Sequence, residues 1–72
     1  MANRYRLTVR VTIRGRGIRP TIELPAGTIV LLATAKGRGV ALAEEMTGRT
    51  FKTFVSESDR AIWLGQNAAP AD

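Results

Sequence analysis

The residues with the clearest chemical potential are six arginines in the first 22 residues, a stretch that contains no acidic residue. Four of them fall in the run RYRLTVRVTIR, residues 4–14, which has arginine or threonine at every even position and an apolar residue at every odd one. Alternation with a period of two predicts a strand with one buried face and one guanidinium-bearing face. Because guanidinium groups bind phosphate and carboxylate through paired hydrogen bonds, the expected chemistry is capture of an anion.

Two glycine-rich turns, RGRG at residues 14–17 and KGRG at residues 36–39, carry further cations. Glycine allows the backbone to approach a phosphate closely, although the spacing of a phosphate-binding P-loop is missing from both turns. Together with the strand face, these turns give the candidate nucleic-acid-binding residues, which are Arg4, Arg6, Arg10, Arg14, Arg16, Arg19, Lys36 and Arg38.

The arginine face has two interpretations that the sequence leaves open. In the first, the arginines stay free and follow the phosphates of a nucleic acid, where release of counterions supplies affinity without sequence reading. In the second, they are neutralised by Glu23, Glu44 and Glu45 of neighbouring strands, since cross-strand ion pairs are ordinary.

Several classes of site are excluded by composition. With no histidine and no cysteine, the chain lacks the usual zinc ligands, disulfides, the commonest general base and the thiol nucleophile, so we expect no enzyme, no metal and no cofactor. The longest apolar run, residues 29–33, is far shorter than the roughly 20 residues that cross a bilayer. No signal peptide is recognisable either, and we expect a small cytoplasmic bacterial protein with no membrane partner.

Four more strands are predicted after the first one, in the runs TIEL, TIVLLATA, VALAEE and TFKTFV, residues 21–24, 28–35, 40–45 and 50–55. The run SESDRAIWL, residues 56–64, predicts a short helical turn that Ser56 or Ser58 caps. Short strands separated by glycine turns are typical of a small barrel. The expected domain spans residues 1–64, and residues 65–72 are expected to form a flexible tail.

The run ELPAGTIVLLATAKGRGVALAEE, followed by GRTFKTFV and the helical ESDRAIWL, resembles the SH3-like barrels of short bacterial and phage proteins. This resemblance implies an all-β fold, a small five-stranded SH3-like barrel with a short C-terminal helical turn. It implies no activity, because such barrels serve many unrelated functions.

The expected function is therefore that of a small basic module that binds nucleic acid, DNA or RNA, with little or no sequence specificity. The alternative is a protein-interaction module, such as a homo-oligomeric accessory protein of a phage or plasmid, whose basic face contacts an acidic partner. Only four aromatic residues are present, which disfavours recognition of single strands by base stacking.

Overall fold

Residues 3–71, the part of the chain that the computed structural model describes, form seven strands and one helix. In chain order they are β1 (Arg4–Leu7), β2 (Val11–Ile13), β3 (Ile22–Leu24), β4 (Ile29–Ala35), β5 (Gly39–Glu44), β6 (Thr50–Phe54), α1 (Glu57–Asn67) and β7 (Ala68–Pro70).

Five of the strands form an antiparallel sheet in the order β6-β5-β4-β1-β7, and β2 and β3 form a separate antiparallel ribbon. The predicted β character and the helix near the C-terminus are confirmed. β4 lies at the centre of the sheet, as its apolar residues on both faces indicate. The predicted closed barrel is not observed: the β2–β3 ribbon does not pair with the main sheet, and β6 and β7 are the edges of that sheet.

The predicted first strand, residues 4–14, is interrupted at residues 8–10, where the chain bends. The break occurs because the neighbouring strand ends at the same level. The Leu7 N–H donates to the Thr28 carbonyl at 2.9 Å, and the Gly27 N–H donates to the Leu7 carbonyl at 2.8 Å. Gly27 adopts a φ of +95°, which suits the tight turn at this point. Val9, expected on the apolar face, is consequently exposed.

The core lies between the main sheet, the ribbon and α1. Its buried cluster draws one or more side chains from each of these parts, namely Leu7, Val11, Leu24, Val30, Leu42, Phe51 and Leu64. The ribbon contributes only the pair at its base, Val11 opposite Leu24. A cluster of this size is typical of a domain whose stability rests on few contacts.

The C-terminal residues are ordered by backbone pairing rather than by apolar side chains. α1 begins after the N-cap Ser56, whose hydroxyl accepts from the Asp59 N–H at 3.2 Å, and it runs well beyond the predicted turn. Residues 68–70 then pair with β1, where the expectation was a flexible tail from residue 65. Small alanines and an edge-strand proline form such pairing without an apolar pattern, so the sequence does not reveal it. Asp72 of that expected tail, like residues 1 and 2 of the expected domain, lies outside the described residues.

Arg60 connects α1 to the centre of the sheet. Its side chain is only 11% exposed, and its Nη1 donates to the carbonyls of Ala33 at 3.1 Å and Ala41 at 2.9 Å. Its Nη2 lies 3.7 Å from the exposed Glu57 carboxylate, one helical turn earlier. Because one guanidinium on α1 donates charged hydrogen bonds to two neighbouring strands, this side chain anchors the helix as well as covering the sheet.

We expect Arg60→Gln to lower the free energy of unfolding by about 1–3 kcal/mol, because the shorter, neutral amide loses the charged hydrogen bonds to the Ala33 and Ala41 carbonyls. Urea unfolding followed by the fluorescence of Trp63 measures the loss. The control is Arg38→Gln, at an exposed position, which should leave the unfolding midpoint unchanged. Equal stability of the two variants would contradict the anchoring role.

Candidate functional site

A polar depression lies in the gap between the β2–β3 ribbon and the main sheet, which do not pair with each other. It has a volume of about 640 Å³, and it runs between the distal part of the β2–β3 ribbon, residues 13–22, and residues 49–53 in and before β6. An adjoining cavity of about 350 Å³ shares Arg19 and residues 50–53 with it and extends to Lys36. We call the two together the basic groove.

The basic groove is lined by six cationic side chains and by no acidic one; these are Arg14, Arg16, Arg19, Lys36, Arg49 and Lys52. Within residues 3–71, the first four make no ion pair. Arg49 makes a long contact of 3.5 Å with Glu44, and the Lys52 ammonium lies 5.3 Å from the centre of the Phe54 ring. Like charges at close quarters, with few carboxylates to neutralise them, create a local positive potential that attracts anions.

The predicted row of strand arginines does not form one surface. Arg4 makes a two-point ion pair with Glu45, at 2.7 Å from Nε and 3.1 Å from Nη2. Arg10 binds Glu23 at 2.6 Å. The bend at residues 8–10 further separates these arginines from Arg14, so only the distal end of the predicted row reaches the basic groove.

Of the eight predicted contact residues, four line the basic groove and four do not. The groove contains Arg14, Arg16, Arg19 and Lys36. Arg4 and Arg10 are engaged with glutamates, whereas Arg6 and Arg38 are exposed outside the groove and have no ion-pair partner among the residues that the structure describes. The groove residues that the sequence did not single out are Arg49 and Lys52.

The ribbon tip holds three of the groove arginines in a defined loop. The Arg19 N–H donates to the Arg16 carbonyl at 3.0 Å and closes a β-turn, in which Gly17 has a φ of +60°. The backbone of the loop is crowded at Gly15, where a side-chain carbon would overlap the Arg19 carbonyl. Two glycines are therefore required by the loop itself, and the arginines project from a fixed turn.

The opposite wall of the basic groove is the outer edge of the main sheet. β6 pairs with β5 on one side only, and the structure shows no backbone hydrogen bond from β6 to the ribbon. The register shifts at Phe51, which has no partner in β5 and is 6% exposed. Such a bulge twists an edge strand and re-aims its side chains, so alternate backbone groups of β6 face the groove without a partner.

No protein-family model matches the chain, and neither a curated protein nor a solved structure matches it significantly. The function is therefore inferred from the geometry of the basic groove. In the described part of the chain, α1 is too short and too polar to cross a bilayer.

The pKa of Glu45 provides a test of whether Arg4 is held in an ion pair. The hydrogen bond from Arg4 is the main cause that holds the pKa of the Glu45 carboxyl below its ordinary value; desolvation opposes it, and the charge of Arg4 adds a smaller lowering effect. We expect Arg4→Gln to raise the pKa of Glu45, as measured by NMR titration of the side-chain carboxyl carbon. Arg6→Gln removes a nearby cation that has no such contact and should leave that pKa unchanged.

The sign of the linked stability follows from the lowered pKa. A carboxyl whose pKa is lower in the folded chain than in the unfolded chain stabilises the fold at a pH above its unfolded-state pKa. This stabilisation is lost as the pH falls through the folded-state pKa. The wild-type protein should therefore lose more stability on acidification than Arg4→Gln. An identical pH profile for both proteins would show that the ion pair is not formed.

Proposed function

We propose that the protein binds nucleic acid through the basic groove, with little or no sequence preference. The observation that carries the proposal is the grouping of six cationic side chains around one depression whose lining contains no carboxylate. Phosphate contacts of this kind supply affinity without reading bases. A binding role rather than catalysis also agrees with a sequence that contains neither histidine nor cysteine.

Double-stranded nucleic acid fits the groove better than a single strand. None of the four aromatic residues is exposed, and both Phe51 and Phe54 pack against Trp63, with ring centres 6.3 and 6.1 Å apart. Binding of single strands normally uses exposed aromatic rings on which bases stack. A duplex, whose phosphates lie on the outside of a stiff double helix, can be bound by cationic side chains alone.

The fold itself supports a further part of the proposal. We propose that the chain is an SH3-like barrel left open at one seam. Support comes from the sharply bent N-terminal segment, the consecutive β4-β5-β6 meander and the helix that precedes the last strand. In this interpretation the basic groove occupies the seam at which such a barrel would close.

The decisive measurement is the affinity for a 20-base-pair duplex at increasing salt concentration. The longest dimension of the protein, 35 Å, corresponds to about ten base pairs at 3.4 Å each, so the duplex covers the whole site. With five or six phosphate contacts, we expect a log–log slope of about −4.5 to −5.5. The double variant Arg19→Glu/Lys52→Glu should bind far more weakly, with a slope shallower by about 2.

The matched control is Arg6→Glu/Arg38→Glu, which changes the net charge by the same amount at two exposed cations outside the groove. It should retain most of the affinity. If both double variants lose affinity equally, net charge alone explains binding. If neither loses it, the groove is not the site.

The open edge of β6 favours a second candidate, an acidic partner protein. An extended segment could pair with the free backbone groups of β6 while its carboxylates meet the groove cations. Competition with poly-glutamate separates the two functions. If the polymer displaces the duplex at equal charge concentration, an acidic protein is the better ligand. If it fails to do so, phosphate geometry is being recognised.

A further inference from the structure

Ile18 is the most exposed apolar residue in the described part of the chain, with a relative exposure of 102%. It sits at the tip of the β2–β3 ribbon, in the turn closed by the bond between Arg16 and Arg19. Nothing in the fold uses its side chain. Isolated apolar residues are common on surfaces, and only the position of Ile18 sets it apart from them.

The position of Ile18 differs from that of the other strongly exposed apolar residues. Met46 and Val55, at 92% and 95% exposure, follow the ends of strands and have acidic neighbours, Glu45 for the first and Glu57 for the second. Ile18 instead lies between two arginines that line the basic groove. An anionic surface would therefore bring Ile18 into contact and keep the other two away.

The ribbon carries the tip away from the core. At the base of the ribbon, Val11 and the opposite Leu24 are buried. The next pair whose side chains face the core, Ile13 and Ile22, is half-buried, and the loop beyond it is almost wholly exposed. Burial thus falls steadily along two paired strands. The result is a narrow projection with an apolar apex and a cation on either side.

A projection of this form matches the minor groove of B-form DNA. Arginine is attracted to the negative potential of a narrow minor groove. Apolar side chains inserted there between base steps partly unstack them and bend the duplex towards the major groove. The minor groove of A-form RNA is wide and shallow, and it would not enclose the tip.

We propose that the ribbon tip enters the minor groove of duplex DNA, with Arg16 and Arg19 along its walls and Ile18 wedged between two base pairs. This inference rests on the proposed nucleic-acid binding and adds the ligand class and a consequence, which is that the protein bends DNA. Pyrimidine–purine steps such as TA unstack most easily, so bending should be greatest at duplexes with a central TA step.

The test is end-to-end energy transfer in a 20-base-pair duplex with a dye at each terminus and a central TA step. Wild-type protein should raise the transfer efficiency at low salt, and a duplex with a central A-tract should respond less. Ile18→Ser should abolish the rise while retaining most of the affinity, since the cations remain. Ile18→Leu should restore the rise, because it returns an apolar side chain of the same volume.

Val55→Ser is the matched control, because it removes a similarly exposed β-branched residue outside the ribbon and outside the groove lining, and it should bend DNA as the wild type does. Circular dichroism checks that each variant is folded.

The measurements distinguish failure of the proposed Ile18 insertion from failure of the proposed binding by the basic groove. If wild-type protein binds the duplex with a steep salt dependence but Ile18→Ser bends it equally, the wedge is wrong and the groove stands. If no protein binds the duplex at low salt, both proposals fall. Vesicles of phosphatidylserine and phosphatidylcholine test the other anionic surface. Sedimentation with vesicles that depends on Ile18, without DNA bending, would assign the tip to membranes and overturn the wedge.

Discussion

The break in the N-terminal segment at residues 8–10 is the constraint on which the rest of the structure depends. β1 can pair only as far as its partners extend, and Leu7 makes its last hydrogen bonds to Thr28 and Gly27 at the end of β4. On the other side, the Thr8 N–H donates to the Asn67 carbonyl, where β7 begins. Beyond Thr8 no neighbouring strand remains on either side, so the chain turns out of the sheet and begins the ribbon.

This turn also separates the charges. Before and at the bend, Arg4 and Arg10 are ion-paired with Glu45 and Glu23, whereas Arg6 makes no ion pair among the described residues. The arginines beyond Ile13 lie towards the tip of the ribbon and make no ion pair among the described residues. Surface ion pairs contribute little stability, so the pairing matters less for the fold than for the distribution of potential. With Arg4 and Arg10 neutralised, the three arginines towards the ribbon tip supply the arginine series' share of the basic groove.

Local patterns predicted the local elements correctly and failed where the outcome depended on which strands meet. The apolar run of β4, the helix cap at Ser56 and the glycine turns are each determined by a few neighbouring residues. The alternation of residues 4–14 is equally regular, yet it says nothing about where the partners of that strand end. A period-two pattern specifies which side faces inward, and it continues unchanged through a bend.

The basic groove was only half predictable for the same reason. Arg14, Arg16 and Arg19 stand out because they cluster in sequence. Arg49 and Lys52 lie some thirty residues later, and they join the site only because β6 is the strand left facing the ribbon. Alternation predicts that Lys52 faces away from the core if its neighbour Phe51 faces inward. That β6 is an unpaired edge, however, depends on the order of all the strands in the sheet. Likewise, residues 68–70 pair with β1 through backbone hydrogen bonds, which require no particular pattern of side chains.

An open sheet edge is a liability in so small a domain, since it offers unpaired backbone groups to other chains. The bulge at Phe51 and the cation at Lys52 both lie on β6, and both are features that discourage edge-to-edge pairing. Two copies of this chain would bring their groove cations together and repel each other. The charge that protects the free edge is therefore the same charge that would bind an anion. A bound polyanion would cover the edge and relieve the repulsion among the cations. A ligand that contacted both the ribbon and β6 would prefer the folded chain, so its binding would stabilise the fold at the gap between them.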